Sequence, residues 1–440
     1  MATARPEIPS TAFLDQLARE EERAVQRTAP LTSSHAGAPD DLAGRLTRTV
    51  EGRGDDLLAL SHDLHAHPEV GFEEHRSVRA VAELLEGSGH EAEVGAYGLP
   101  TALRAVAGEG APRLAVLAEY DALPGIGHGC GHNIICTTAV GAFLALAEYV
   151  GELGGTVELI GTPAEEGGGG KELIARAGGF NGVDAAIMLH PSGHDLAAQS
   201  FLGRRVVEAV YTGVAAHASA SPFMGRNALD AVVSAYTGIA ALRQHIPPTD
   251  RIHGVITDGG ARPNVVPERA AAEFYVRSAG IETLLDLSRR VEAIFEGAAT
   301  MTGTGVEVRW DGEPAYLPVR YNRALAARYA ERMAVRGRRP LPEGVVPEFL
   351  TGSTDLGNVS VRVPSIHPML AVAPSSVALH TSQFARWAAT EQADAALVDG
   401  AVGLALTGAD FLADPALRED AAREFADAGG PVDVANLFAG

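Results

Sequence analysis

Short apolar runs alternate with stretches of helical periodicity from about residue 101 to residue 190, and this alternation limits the fold most strongly. Strands are predicted at residues 113–119, 156–162 and 185–190, with helices between them at 134–150 and 170–177. Helices that connect parallel strands cover both faces of the sheet. The pattern therefore predicts a doubly wound α/β domain, with ligands bound at the carboxyl edge of its sheet.

The alternation changes near residue 205. The predicted elements then follow the order β-α-β-β-α-β, at residues 206–212, 225–245, 252–258, 270–277, 281–302 and 305–310. This order is typical of a ferredoxin-like, split βαβ sandwich. Because α/β-type helices and a glycine-containing stretch at 350–360 follow, we interpret the sandwich as a domain inserted into the first one.

These patterns predict four segments. Residues 1–45 are rich in Ala, Pro, Ser, Thr and charge, and we expect a mobile or peripheral extension with a short helix near residues 13–26. The two parts of the first, α/β domain are predicted at 46–204 and 313–440, with a peripheral tail after 413. The inserted domain is predicted at 205–312.

Composition excludes several classes of partner and location. A formal net charge of −21 argues against binding to nucleic acid or to an anionic membrane surface. The two cysteines, Cys130 and Cys136, are too few for a disulfide framework and fit a reducing, cytoplasmic setting. We find neither an apolar run of the roughly 20 residues that span a bilayer nor a secretory signal, so we expect a soluble protein.

Candidate metal ligands follow the predicted strands. Cys130 and His132 are separated by one glycine, which permits a tight backbone path between a thiolate and an imidazole. Glu165 and Glu166 follow a proline and precede four glycines, and His190 ends an apolar run. The alternatives are a buried thiol beside a capping loop, a solvated carboxylate pair and a core histidine. Together the residues favour a metal site in which one glutamate binds metal and its neighbour acts as a general base.

Other histidines are less informative. His62, His65 and His67 lie on one amphipathic helix before the first strand of the sheet, and we expect structural roles for them. His217 and His380 are not distinguished by spacing alone. Asn264 lies in a turn, where turn chemistry explains an asparagine almost as well as function does.

A larger set of motifs resembles one known family. The motifs are Tyr120-Asp121-Ala122-Leu123-Pro124, Cys130-Gly131-His132-Asn133, Pro163-Ala164-Glu165-Glu166-Gly167, Leu189-His190-Pro191, Gly213 to His217 with Gly225-Arg226-Asn227-Ala228-Leu229-Asp230, and Ser353-Thr354-Asp355 with Leu379-His380-Thr381. In this order, over about residues 56–408, they resemble the aminoacylase/carboxypeptidase family of dinuclear metallopeptidases. The branch that they resemble contains the auxin-conjugate hydrolases, the aminobenzoyl-glutamate hydrolases and the β-alanyl-lysine-type dipeptidases. Branch members often carry Asp after Cys-Gly-His. This chain has Asn133 there, and in this it resembles the dipeptidase subgroup.

The resemblance implies roles for individual residues. It implies a zinc-peptidase-like catalytic domain with two divalent ions, for which zinc suits the donor set and manganese or cobalt are alternatives. The implied ligands are Cys130, His132, Glu166, His190 and His380. Glu165 would be the general base, and Asp121 would orient a ligand.

The resemblance also implies an assembly and a substrate. The inserted domain would serve as lid and dimer interface, and His217 would reach into the partner's site to stabilise the oxyanion. Asn264 and Arg277 would contact the carboxylate or amide of a dipeptide or N-acyl amino acid. Two other hypotheses remain open: a hydrolase with Cys130 as nucleophile, and a non-catalytic binding protein that kept the fold.

Overall fold

The computed structural model of the protein describes residues 9–347 and 351–438. Residues 1–8 of the predicted extension and residue 350 of the glycine-containing stretch lie outside these ranges. The helices are α1 (Ala12–Arg27), α2 (Asp40–Gly52), α3 (Gly54–Ala66), α4 (His75–Gly87), α5 (His132–Glu148), α6 (Val150–Leu153), α7 (Gly170–Arg176), α8 (Ala228–Leu242), α9 (Ile281–Thr302), α10 (Arg323–Val335), α11 (Leu356–Ser360), α12 (Ser382–Trp387), α13 (Glu391–Ala413), α14 (Pro415–Asp427) and α15 (Val434–Leu437). The strands are β1 (Ala92–Val94), β2 (Leu103–Glu109), β3 (Arg113–Glu119), β4 (Gly155–Thr162), β5 (Ala185–Ile187), β6 (His190–Ser192), β7 (Gly203–Thr212), β8 (Arg251–Asp258), β9 (Arg269–Ser278), β10 (Gly305–Trp310), β11 (Ser365–Ile366) and β12 (Met369–Ala371).

The main sheet has the strand order β1-β2-β4-β3-β5-β11. The strands β4, β3, β5 and β11 are parallel to one another, whereas β2 pairs antiparallel with both β1 and β4. Alternate residues of β3 enter two cores on opposite faces: Leu114 and Val116 face one, and Ala115 and Leu117 face the other. Helices cover both faces, so the predicted α/β fold is confirmed, with an antiparallel edge at β1 and β2.

One predicted strand is divided into two. The predicted strand at 185–190 ends at Ile187, and His190 begins β6, which pairs with β12 in a separate two-stranded sheet. His190 therefore begins a strand, whereas the sequence pattern predicted that it would end one.

Helix α13 is long and apolar enough to span a membrane by length and composition alone. However, 83% of its most apolar stretch is buried inside the protein. It packs against α5, whose residues from His132 to Leu146 are all buried. The apolar composition of α13 is therefore explained by its place in the main core.

The second sheet is antiparallel and has the order β10-β7-β9-β8. Helices α8 and α9 pack on it around a separate core that includes Val207, Ala231, Phe274 and Phe295. The element order β-α-β-β-α-β expected from the sequence is the order along the chain. Strand β8 lies at one edge of this sheet.

The N-terminal region extends into the main core. Leu42 and Leu46 of α2 are buried there, so the boundary expected at residue 45 falls inside a packed helix. The backbone N–H of Ala38 donates to Asp410, whose carboxylate also accepts hydrogen bonds from Arg328 and Arg332. Ala38 is therefore held by a buried ion-pair cluster, and the helix that follows it packs in the main core.

Candidate metal centre

The predicted ligands converge at the carboxyl edge of the main sheet. Strands β4, β3 and β5 are adjacent and parallel, so the segments that follow them meet at one edge. Asp121 follows β3, and Glu165 and Glu166 follow β4. His190 lies three residues beyond β5.

Three further residues reach this edge from loops and a helix. Cys130 precedes α5, His132 begins α5, and His380 precedes α12. Gly131, between Cys130 and His132, has a φ of 77°, and a Cβ there would lie 2.5 Å from Pro191 Cγ. The tight path that the sequence predicted between the thiol and the imidazole therefore requires glycine.

The donor atoms form groups that share one thiol. One group contains Cys130, His132 and His190, and another contains Cys130, Glu166 and His380; within each, the donor atoms lie within 4.8 Å of one another. The Sγ atom of Cys130 lies 3.3 Å from Nε2 of His190 and 3.3 Å from Nε2 of His380. A thiolate in this position can contact two neighbouring ions.

Asp121 connects the two groups. Its Oδ1 accepts a hydrogen bond from Nδ1 of His132 at 2.9 Å, and its Oδ2 accepts one from the backbone N–H of Glu166 at 2.9 Å. The first bond directs Nε2 of His132 toward the donor groups, as expected for a carboxylate that orients a ligand. Burial acts to raise the pKa of Asp121, but His132 and these hydrogen bonds hold it below its usual value.

Two non-glycine residues beside the centre have left-handed backbones. Ala164, just before Glu165, has a φ of 55°, and His380 has a φ of 61°. Such conformations cost about 1 kcal/mol or more and persist where the surroundings hold them. The backbone N–H of Ala164 donates to the buried carboxylate of Glu74, and that of His380 donates to the Gly129 carbonyl. These bonds fix the directions of Glu165 and His380.

The electrostatics of the cluster fit a bound cation. Burial raises the pKa values of Cys130, Glu165 and Glu166, and it lowers the pKa of His190 to about 4. Within the described residues, Nε2 of His132 and Oε1 of Glu166 are buried without a hydrogen-bond partner. Buried acids and unpaired donor atoms are compensated when a divalent ion binds among them. The residues therefore fit a metal centre.

Three predicted site residues lie on the inserted domain. His217 and Asn264 are exposed and near each other, since Ala218 N–H donates to the Asn264 carbonyl. The Nδ1 of His217 accepts hydrogen bonds from the backbone N–H groups of its own turn, which leaves Nε2 directed elsewhere. Neither residue belongs to a metal-binding group among the residues described. Arg277 is partly buried and donates to Ser353 Oγ at 3.1 Å, which brings it to the main domain.

Sequence reasoning missed several residues of this region. Glu119 ends β3 and forms a third donor group with His132 and Glu165. Lys171 joins Glu119 to Asp355 in the interior. The only local signal was the position of Glu119 at the end of a strand, because the partners are distant in sequence.

The remaining histidines of the α3 region have other partners. Nε2 of His62 lies 2.8 Å from Asp394, and Nε2 of His65 lies 2.6 Å from the Ala385 carbonyl. Nδ1 of His67 lies 2.9 Å from the Asp63 carbonyl. These contacts agree with the structural roles expected for them.

A sheet edge that carries a shared thiol, imidazoles and paired carboxylates defines a metal-dependent hydrolase. The model of peptidase family M20/M25/M40 matches residues 115–398 of this chain. Xaa-Arg dipeptidase of Mus musculus is 36% identical over 415 residues, which cover 91% of this chain and 96% of that protein. The chain belongs to peptidase family M20/M25/M40, as the sequence motifs predicted, and is a hydrolase of amide or peptide bonds.

Other similar proteins have the same fold or a related sequence. One of the p-aminobenzoyl-glutamate hydrolase subunits of Escherichia coli (strain K12) is 38% identical over 287 residues, which cover 59% of this chain and 59% of that protein. The solved structure of a dinuclear metal-binding peptidase of the M20 family from Bacillus subtilis has a TM-score of 0.57 and 22% identity. It covers 79% of this chain and 98% of that one. At this identity, the structural similarity concerns the fold.

Proposed function

We propose that the protein is a dinuclear metal-dependent amidohydrolase that cleaves a dipeptide or an N-acyl amino acid with a free carboxylate. The observation that carries this proposal is the position of the Cys130 thiol, which belongs to two donor groups at once. The similarity to a protein named Xaa-Arg dipeptidase supports a dipeptide as substrate.

In this proposal five residues bind the ions: Cys130, His132 and His190 on one side, and Cys130, Glu166 and His380 on the other. Thiolate, imidazole and carboxylate donors suit zinc, and manganese or cobalt are accepted by a similar set. Two divalent ions held here would polarise the scissile carbonyl group and lower the pKa of water.

Glu165 is the general base of the proposed reaction. Its side chain is 8% exposed, and its Oε2 lies 3.9 Å from Nε2 of His132, so it lies buried beside the proposed ligands. The Tyr316 hydroxyl donates to the Glu165 carbonyl oxygen at 2.5 Å and fixes its backbone. Glu165 takes a proton from the attacking water as the C–O bond forms, and returns it to the amine nitrogen as the C–N bond breaks.

The inserted domain contributes the remaining contacts. Arg277 and Asn264 are proposed to bind the substrate carboxylate or amide, and His217 of one chain to stabilise the oxyanion in the site of its partner. His217 is exposed and has its Nδ1 occupied by its own turn. Its position is therefore compatible with a contact to the site of a partner chain.

A homodimer through residues 205–312 is supported by exposed apolar side chains there. On the edge strand β8, Val255 is 61% exposed and Ile256 is 42% exposed; on helix α8 of the same segment, Val233 is 48% exposed. An exposed apolar edge strand is a template for pairing with another chain. Both cysteines are free and buried, which is compatible with the proposed cytoplasmic location.

The alternative with Cys130 as nucleophile is disfavoured by its surroundings. Reactive thiols have lowered pKa values and partial exposure, whereas burial raises the pKa of Cys130, which is 6% exposed. Activity that survives chelation would favour the thiol mechanism over the metal mechanism.

The proposed function is tested by turnover with and without metal. Protein treated with a chelator and protein reloaded with zinc, manganese or cobalt are incubated with a library of dipeptides and N-acyl amino acids, and products are identified by mass spectrometry. We expect hydrolysis only after reloading, and only of substrates with a free carboxylate. Equal rates for the metal-free and reloaded protein would contradict the proposal, and an absence of turnover in both would favour a binding protein.

A further inference from the structure

The only lysine among 35 lysine and arginine residues is fully buried beside the metal centre. Lys171 lies at the start of α7, and its Nζ lies 2.5 Å from Glu119 Oε1 and 2.5 Å from Asp355 Oδ1. Its backbone N–H donates to Asp355 Oδ2 at 2.9 Å. Glu119 and Asp355 are themselves 0% exposed. One ammonium thus neutralises one of two carboxylates, and the trio keeps a net negative charge in the interior.

The geometry around residue 171 suits a lysine, whereas all the other basic positions of the chain are arginines. Two carboxylate oxygens approach a single ammonium nitrogen, which is a compact point donor. A planar guanidinium spreads its donors over a fork instead. The compact ammonium of lysine therefore suits the trio.

The second oxygen of Glu119 faces the metal centre. Its Oε2 lies 3.5 Å from Nε2 of His132, and neither atom has a hydrogen-bond partner among the residues described. The Nδ1 of His132 is already bonded to Asp121. Glu119, His132 and Glu165 also place one donor atom each within 4.8 Å of one another. A carboxylate oxygen is thus fixed at the side of the centre that His132 occupies.

We propose that Lys171 is a positioning residue of the metal centre: it holds Glu119 so that Oε2 adds a carboxylate donor on the His132 side. The inference rests on the proposed metal centre and extends its donor set. Asp355 completes the arrangement from the part of the chain that follows the inserted domain. Binding of the metal ion next to His132 then depends on contacts between the two parts of the main domain.

The test measures metal affinity and coordination in the full-length protein. Glu119→Gln keeps the shape of the side chain, and its amide oxygen can still accept from Lys171. We expect about 10- to 100-fold weaker binding of one of the two ions, as is common when a group that supports a metal site is lost. Cobalt titration followed by visible absorption reports the coordination of each ion, and competition with a chromogenic chelator gives the affinities. Lys171→Arg should cause the same loss of affinity.

A matched control separates positioning from stability. Arg332 forms another buried ion pair, with Asp410, and Arg332→Met should lower thermal stability without changing cobalt affinity or absorption. If Lys171→Arg does not fold, Glu119→Gln alone decides. Two ions bound by Glu119→Gln with the affinity and spectrum of the unmodified protein would overturn the inference while leaving the proposed function intact. An unmodified protein that binds no ions would overturn both.

Discussion

Neighbouring carboxylates at residues 165 and 166 have different surroundings. The side chain of Glu166 lies near Cys130 and His380, and its Oε2 is 3.5 Å from Nε2 of His380. Glu165 instead groups with Glu119 and His132. Adjacent residues in the turn after β4 therefore face different parts of the centre.

This difference predicts different effects of the two amide substitutions. Glu165→Gln should keep both ions and lower kcat by about 10²- to 10⁴-fold, because an amide cannot accept the proton of water. Glu166→Gln should lose affinity for one ion. Metal content is measured by elemental analysis after gel filtration, and turnover is measured with saturating metal. Equal loss of metal in both variants would show that the assigned roles are wrong.

The buried carboxyl group of Glu74, beside the centre, makes the stability of the protein depend on pH. Burial, with a contribution from Asp121, raises the pKa of Glu74 to about 7 from a usual value of 4.5. Because the folded state holds this proton more tightly than the unfolded chain, the associated stability is present below pH 4.5 and is lost as pH rises through 7.

Glu74→Gln should remove this dependence. The amide oxygen can still accept the hydrogen bond of Ala164 N–H, and no carboxylate has to ionise in the interior. Relative to the unmodified protein, the variant should gain up to about 3 kcal/mol between pH 4.5 and pH 8. Urea unfolding over this range measures the difference. Parallel stability curves for the two proteins would contradict the prediction.

At the residue scale, the sequence indicated the candidate ligands that lie in short motifs. Cys130 and His132 were predicted from a one-residue spacing, and Glu165 and Glu166 from a proline and glycines around a turn. His380 needed the family resemblance, because its motif is ordinary. The contact between Lys171 and its two carboxylates joins residues separated by 52 and 184 positions, and no local pattern reports such a contact.

At the scale of elements, periodicity predicted individual helices and strands of residues 205–312 well. The predicted helix 281–302 and strand 305–310 have the bounds of α9 and β10. The strand predicted at 185–190 was wrong in extent. The strand breaks after Ile187, but Leu189, beyond the break, is apolar like the residues before it. Hydrophobicity alone does not show where a buried strand leaves one sheet for another.

If the proposed homodimer forms through the edge strand β8, a charge on this strand should break it. Val255→Glu would put a charge on the exposed apolar edge and should convert the dimer to a monomer, because burying an unpaired charge at an interface is costly. Sedimentation velocity measures the assembly. The matched control is Val335→Glu on α10 of the main domain, where the side chain is 79% exposed and no interface is proposed. A variant at Val255 with the assembly of the unmodified protein would exclude this edge as the interface.

At the scale of the whole molecule, the candidate site residues lie on two separate domains. The candidate ligands and Glu165 lie on the main domain, whereas His217 lies on the inserted domain, whose core is separate. In the proposed function each domain carries part of one site, and such a site can be completed within one chain or between two chains. An isologous dimer would complete two sites at once.

Complementation between two inactive chains distinguishes these arrangements. One chain carries Glu165→Gln and the other His217→Ala. If His217 acts in trans, the heterodimer has one site with both residues intact, and a fully exchanged equimolar mixture should reach about one quarter of the unmodified activity.

The control for this experiment uses two changes that belong to the same site of one chain. Glu165→Gln mixed with Glu166→Gln cannot regain full activity, because every site of their heterodimer keeps one altered carboxylate. Native mass spectrometry of chains with different masses shows whether exchange has occurred. Exchange without recovery in the His217 mixture would mean that His217 does not complete the partner's site. Recovery there, without recovery in the control, would mean that each site takes its base from one chain and its histidine from the other, since no single chain in the mixture carries both.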